Sequence, residues 1–149
     1  MNRPKTVIGV LVVIILIMGG SLVYTIREKN IAEEQGDFLQ RVADQSFQYQ
    51  LGQLDSCFQS RGEGGGFTSC AAPAAAVSGL SALTSFEKRN DALDLTLDSL
   101  HRILLNEEKQ EKLAAHGESL SALVNKLQRQ PSDAAVTEQL QDEVYQVLR

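Results

Sequence analysis

The stretch ALTSFEKRNDALDLTLDSLHRILL, residues 82–105, decides the class of fold. Within it Ala82, Phe86, Asn90, Leu93, Leu97, Leu100 and Leu104 recur at spacings of 4, 4, 3, 4, 3 and 4. A helix turns by about 100° per residue, so this series stays on one side of a helix, whereas a half-buried strand needs strict alternation. Asn90 places a polar group in the apolar seam, a device that fixes register at some cost in stability. The series covers only about three heptads, which suits a bundle helix better than a long coiled coil. Pro73 suits a first helical turn, so the sequence predicts one helix over Ala74–Leu105.

Working toward the N-terminus, residues 60–72 read as a loop, with glycine at 62, 64, 65 and 66 supplying backbone freedom. Gly64-Gly65-Gly66 is not a phosphate loop, because no Lys-Ser/Thr follows it and the Walker spacing is absent. Residues 27–59 contain no proline and read as one helix with two apolar stripes. Ile31, Phe38, Val42 and Tyr49 form the first; Phe47, Leu51, Leu54 and Phe58 form the second, on the nearly opposite face. A single bundle core normally needs one stripe per helix. The first stripe is therefore a candidate partner-binding face, and the second a core face.

Toward the C-terminus, residues 106–112 are all polar, and a break over 106–117 is expected, with Gly117 as the helix stop and His116 at a helix end favoured by the dipole. Leu113, Leu120, Val124 and Leu127 restart an apolar stripe. Pro131-Ser132-Asp133 marks a boundary with Ser132 as N-cap, and Val136, Leu140, Val144 and Val147 form the buried face of a last helix. An antiparallel bundle of about four helices buries these stripes.

Thr6–Ile26 is an uncharged run long enough to cross a hydrocarbon core of roughly 30 Å as a helix. A cleaved signal peptide is the rival, but hydrophobicity resumes at Leu22 beyond the small residues Gly19, Gly20 and Ser21. The sequence thus predicts an all-α chain: a cytoplasmic tail at 1–5, a transmembrane anchor at 6–26 and a helical domain at 27–149 outside the cytoplasm. Arg3 and Lys5 precede the run and Arg27 and Lys29 follow it, so the flanks alone orient it weakly. The cysteines favour an oxidising, periplasmic side, which implies a bacterial inner membrane. Residues 27–149 hold 12 basic and 19 acidic residues, a net of −7, which disfavours nucleic acid as a partner.

Cys57 and Cys70 bracket the glycine loop. An even pair outside the cytoplasm predicts an intrachain disulfide. The spacing is not C-x-x-C, and two thiols without nearby histidine fall short of a metal site.

His101 and His116 are the only histidines. Asp94, Asp98 and His101 share one helical face at carboxylate-x-x-His spacing, but a di-metal bundle site needs a second such motif, and the sequence has none. The adjacent acids Glu33/Glu34, Glu107/Glu108 and Asp142/Glu143 point about 100° apart on a helix, too divergent to act on one atom. No nucleophile motif is present. No catalytic residue, metal or cofactor is expected, and no small-molecule ligand is identifiable.

The expected function is that of a non-enzymatic, membrane-anchored accessory or structural subunit of an envelope complex. It would act through helix contacts with other envelope proteins or with itself. The layout of short basic N-terminus, one anchor and helices with cysteines resembles that of phage inner-membrane spanins, which implies a lysis role. It departs from that class where Gly62–Gly66, Gly117 and Pro131 interrupt the coiled coil that spanins use. A ligand-sensing bundle that signals through a partner is the third class.

Overall fold

The computed structural model describes residues 34–60 and 66–149. The chain divides into two compact units, Met1–Leu39 and Gln40–Arg149. Of the first unit, residues 34–39 are described and are helical, with Phe38 and Leu39 exposed.

Five helices make up the described chain. α1 occupies residues 34–59. A 3-10 turn at Phe67–Cys70 leads into α2, Ala71–Ser81. α3 is Leu93–Leu105, α4 is Gln110–Arg129 and α5 is Ala134–Leu148. α2 packs on α3, α3 on α5 and α5 on α4. The core gathers Phe47, Leu51, Leu54 and Phe58 of α1 with the leucine series of α3, the Leu113/Leu120/Val124/Leu127 series of α4 and the valine face of α5. α2 contributes the small buried residues Ala71, Ala74 and Val77; having little bulk, it can lie close to α3.

The anchored architecture is corrected. Among the described residues no helix is long and apolar enough to cross a membrane. The physical reason is charge: α1 carries Glu34, Asp37, Arg41, Asp44 and Asp55, and α4 carries Glu111, Lys112, Glu118, Lys126 and Arg129, each expensive in hydrocarbon. Thr6–Ile26, the expected span, lies outside the described residues, as do residues 1–5 and Ile31. The fold described is an all-α bundle of five helices. The single-pass inner-membrane and periplasmic placement is withdrawn with the anchor, and so is the function of a membrane-anchored envelope subunit. The spanin-like and sensor alternatives rested on the same anchor and go with it.

The break expected within 106–117 and the boundary at 131–133 are present, but one helix and two terminal residues differ. The helix expected over Ala74–Leu105 is broken: α2 ends at Ser81, and a turn with a 3-10 segment at Glu87–Arg89 precedes α3. Asn90 lies in this break. Buried, it donates from Nδ2 to Pro131 O (3.1 Å) and to Thr137 Oγ1 (2.6 Å), so it joins the turn to the start of α5 rather than setting a coiled-coil register. The reversal falls at Asn106, whose Oδ1 accepts from Glu108 N, while Gly117 is buried inside a continuous α4. Asp133, not Ser132, is the N-cap of α5; its Oδ1 accepts from the amides of Ala135 and Val136, as capping carboxylates do.

Candidate interaction surface

The two stripes of α1 have opposite fates. Phe47, Leu51 and Leu54 are fully buried and Phe58 almost so. Phe38, Val42 and Tyr49 are 65%, 43% and 63% exposed, and Leu39 beside them is 66% exposed. Val42 and Tyr49, seven residues apart, lie within about 20° of one line along the helix, and Phe38 falls on the same stripe by its spacing in the sequence. Glu34 and Arg41, seven residues apart, border one flank of that line and are exposed. The ion pairs among the described residues are Arg102–Asp98 and His116–Glu143, so among those residues Glu34 and Arg41 have no ionic partner.

Beyond Tyr49 the same face of α1 turns from apolar to neutral and polar, through Gln53, Ser56 and Ser60. Here α1 and the start of α2 border an open groove of about 810 Å³. Cys57 stands in it, bonded to Cys70, with Cα atoms 5.6 Å apart. Cys57 is half-buried and Cys70 fully buried. The Ser69 hydroxyl lies 3.6 Å from Cys57 Sγ.

Below the disulfide, Phe67 is buried with its ring 5.7 Å from that of Phe58. Its amide donates to Gln110 Oε1 at 2.9 Å, and Gln110 Nε2 donates to Leu104 O at 3.1 Å. One glutamine at the start of α4 thus ties the 3-10 turn to the end of α3. Nothing in the local pattern around Gln110 marked it.

Asp55 was also not legible as a site. It is 5% exposed and accepts from Ser121 Oγ (2.6 Å), Asn125 Nδ2 (2.7 Å) and Gln59 Nε2 (2.9 Å). The available signal was an acid directly after Leu54 in a buried stripe, matched by two polar residues four apart on α4. Asp44 makes a comparable contact, accepting from the amide and hydroxyl of Ser85 at 2.8 and 2.7 Å.

The Asp94/Asp98/His101 row forms no metal cluster. Among the described residues no group of three His, Cys, Asp or Glu side chains is placed to hold an ion, and Asp98 is engaged by Arg102 Nε at 2.8 Å. His116 sits inside α4 rather than at its end. Its Nδ1 lies 2.9 Å from Glu143 Oε1 on α5.

Comparison with protein-family models, with curated proteins and with solved structures finds no match for this chain.

Proposed function

We propose that the protein is a non-enzymatic helical assembly module, in which two copies pair through the outward face of α1. The observation that carries this reading is the exposure of Val42 and Tyr49 on a helix whose opposite face is already buried in the core; Phe38, exposed in its own unit, belongs to the same stripe by its spacing in the sequence. A contiguous patch of large apolar side chains is costly to leave in water and marks an interaction surface. With Leu39, the patch offers about 400 Å² of apolar area, scaling aromatic and aliphatic side chains by their exposure. That approaches the apolar share of a standard interface, which covers about 800 Å² per partner.

The flanking charges select a second copy as the occupant. A two-fold axis near residues 37 and 38 sets Glu34 of each copy against Arg41 of the other. One contact made twice is the economy of an isologous pair. Phe38 then lies next to its own counterpart.

Sedimentation equilibrium of the full-length protein tests this. The wild-type chain is expected to dimerise, with Phe38→Ala and Val42→Ala each weakening the dimer by about tenfold or more, as truncations of central apolar contacts do. Leu95→Ala removes a side chain that is equally exposed, but on α3, and should leave the dimer unchanged. A wild-type chain that stays monomeric at about 100 μM, a concentration at which even weak pairs associate, refutes the proposal. So does a Phe38→Ala chain that dimerises as the wild type does.

A further inference from the structure

Residues 82–92 are at odds with their own sequence pattern. Ala82, Phe86 and Asn90 continue the stripe of Leu93, Leu97, Leu100 and Leu104 at helical spacing, and no glycine or proline stands between Leu80 and Leu105. The chain nevertheless leaves α2 after Ser81 and resumes regular helix at Leu93. Ala82 and Phe86 keep helical dihedrals; Asn90, at φ −144° and ψ 71°, departs from them. The side-chain bonds that hold the segment bent are few. Thr84 Oγ1 donates to Ser81 O (2.7 Å), and the Ser85 amide and hydroxyl donate to Asp44 (2.8 and 2.7 Å). Asn90 Nδ2 donates to Pro131 O and Thr137 Oγ1. Asn90 Oδ1, on the same buried amide, has no partner among the described residues.

A segment with a helical pattern, bent by a handful of side-chain bonds, has a second state within reach. Straightened, it joins α2 and α3 into one helix, Ala71–Leu105. Residues 40–81 then leave their seat on α3, α4 and α5, and a second copy opened in the same way offers an identical seat. We infer that residues 82–92 are the hinge of a domain-swapped dimer, in which two copies exchange residues 40–81. The disulfide lies wholly within the exchanged part and does not tie it to the rest. The contacts that cross between the two parts are re-made with the second copy: Asp55 with Ser121 and Asn125, the Phe67 amide with Gln110, and α2 on α3. What is given up is local to the hinge, which is why exchange of an identical element is a low-cost route to a dimer. The straightened hinges pair near the two-fold axis through Ala82, Phe86 and Asn90. There Asn90 Oδ1 accepts from Asn90 Nδ2 of the second copy, a polar contact of the kind that sets register in paired helices. The exchange goes beyond the α1-face pairing and does not rest on it, since that face takes no part in the hinge.

The test uses full-length Phe38→Ala, in which face pairing is weakened. The chain is unfolded in urea with its disulfide intact, refolded at about 1 mM, a concentration at which open chains meet, and passed over a sizing column. A dimer is expected that survives dilution to about 1 μM for hours, because its release requires both bundles to open. In dimers refolded from mixed ¹⁵N-labelled and ¹³C-labelled copies, the Asn125 side-chain amide of one copy should show cross-peaks to Asp55 of the other. Pairing through the α1 face gives none.

Asp91→Pro is the discriminating variant. Leu93 N bonds Asn90 O at 3.0 Å, and Ala92 has φ −92° and ψ 0°. Asp91 therefore stands at the second position of a type I turn, where proline is favoured. Proline is strongly disfavoured inside a straight helix, so the dimer fraction should fall by about a hundredfold. Thr84→Ala with Ser85→Ala removes bonds of the bent form only and should raise that fraction by about tenfold. On the wild-type chain Asp91→Pro should leave the reversible α1-face pairing unchanged, so the two readings fail or stand separately. The inference is overturned if no dimer outlasts dilution, or if that dimer lacks the Asn125–Asp55 cross-peaks between copies. It is equally overturned if Asp91→Pro, with a folded monomer spectrum, yields as much of the dimer as its parent, or if the alanine pair yields no more.

Discussion

Replacing Asp55 is the most informative perturbation of the bundle. Its carboxylate is almost fully buried and receives three donors, two of them from α4 at sequence separations of 66 and 70. Among the described residues no cation pairs with it, and the donors that offset its burial are neutral. Hydrogen bonds to a charged group contribute about 1.5–3 kcal/mol each in mutational series, and the values do not add when the partners form one network. Asp55→Ala also strands the Ser121 hydroxyl and the Asn125 amide in a part-buried place. A loss of about 3 kcal/mol follows, a mid-range value for breaking a buried network by removing one member.

Asp55→Asn keeps the shape but turns an NH₂ toward donors, and should cost about 2 kcal/mol. The decisive comparison is the triple variant Asp55→Ala, Ser121→Ala, Asn125→Ala. Removing the stranded donors together with the acceptor should restore part of the loss, since fully apolar replacement of a polar network is often close to neutral. Urea unfolding of the disulfide-intact protein reads all three values. If Asp55→Ala shifts stability by less than about 0.5 kcal/mol, the usual range of neutral surface changes, the network is not holding α1 to α4. If the triple variant is less stable than the sum of its parts, the stranded-donor argument is wrong.

Three further outcomes are expected. Leu54→Ala, at a fully buried position, should cost about 2–5 kcal/mol in the same unfolding assay, while Phe38→Ala should stay within about 0.5 kcal/mol when measured on the monomer. Removing both Cys57 and Cys70 by alanine opens a loop with sequence separation 13, and the chain-entropy model puts the loss at about 3 kcal/mol, read as a lower melting temperature. Asn90→Ala removes the bonds to Pro131 O and Thr137 Oγ1 and should cost about 1–3 kcal/mol, with hydrogen exchange rising first in the 82–92 turn.

The legible part of the fold was the set of covered faces. Leu113, Leu120, Val124 and Leu127, and likewise Val136, Leu140, Val144 and Val147, are all buried as their spacing predicted, because a 3.6-residue period is a direct imprint of a one-sided environment. The disulfide was legible for a different reason, an even cysteine pair around a flexible loop. The break within 74–105 was missed because local chemistry competes there. Ala82, Phe86 and Asn90 continue the α3 series on paper, but Thr84 Oγ1 bonds Ser81 O, and Ser85 bonds Asp44. These hydroxyls draw the chain out of helix, a pull that apolar spacing does not register. Gly117 was read as a stop, yet a glycine within a helix costs only about 1 kcal/mol, less than the core contacts of α4 around it.

The outward stripe of α1 poses a sharper question, since a helix with two apolar faces can roll to bury either one. What fixes its setting is polar. Asp44 and Asp55 are eleven residues apart, three turns of helix, and so lie on one side of the buried stripe. Asp44 is held by the Ser85 amide and hydroxyl, and Asp55 by Ser121 and Asn125. Rolling α1 to cover Val42 and Tyr49 would pull both carboxylates from their donors while exposing Phe47 and Leu51. Several hydrogen bonds to charged groups, each worth about 1.5–3 kcal/mol, oppose that motion in addition to the lost core packing. The exposed face is therefore held outward by two anchoring carboxylates, Asp55 buried and Asp44 half-buried, rather than left over by poor packing. The same anchors keep Tyr49, Gln53 and Ser56 turned toward the groove, so one rotational setting of one helix presents both the apolar face and the neutral polar one.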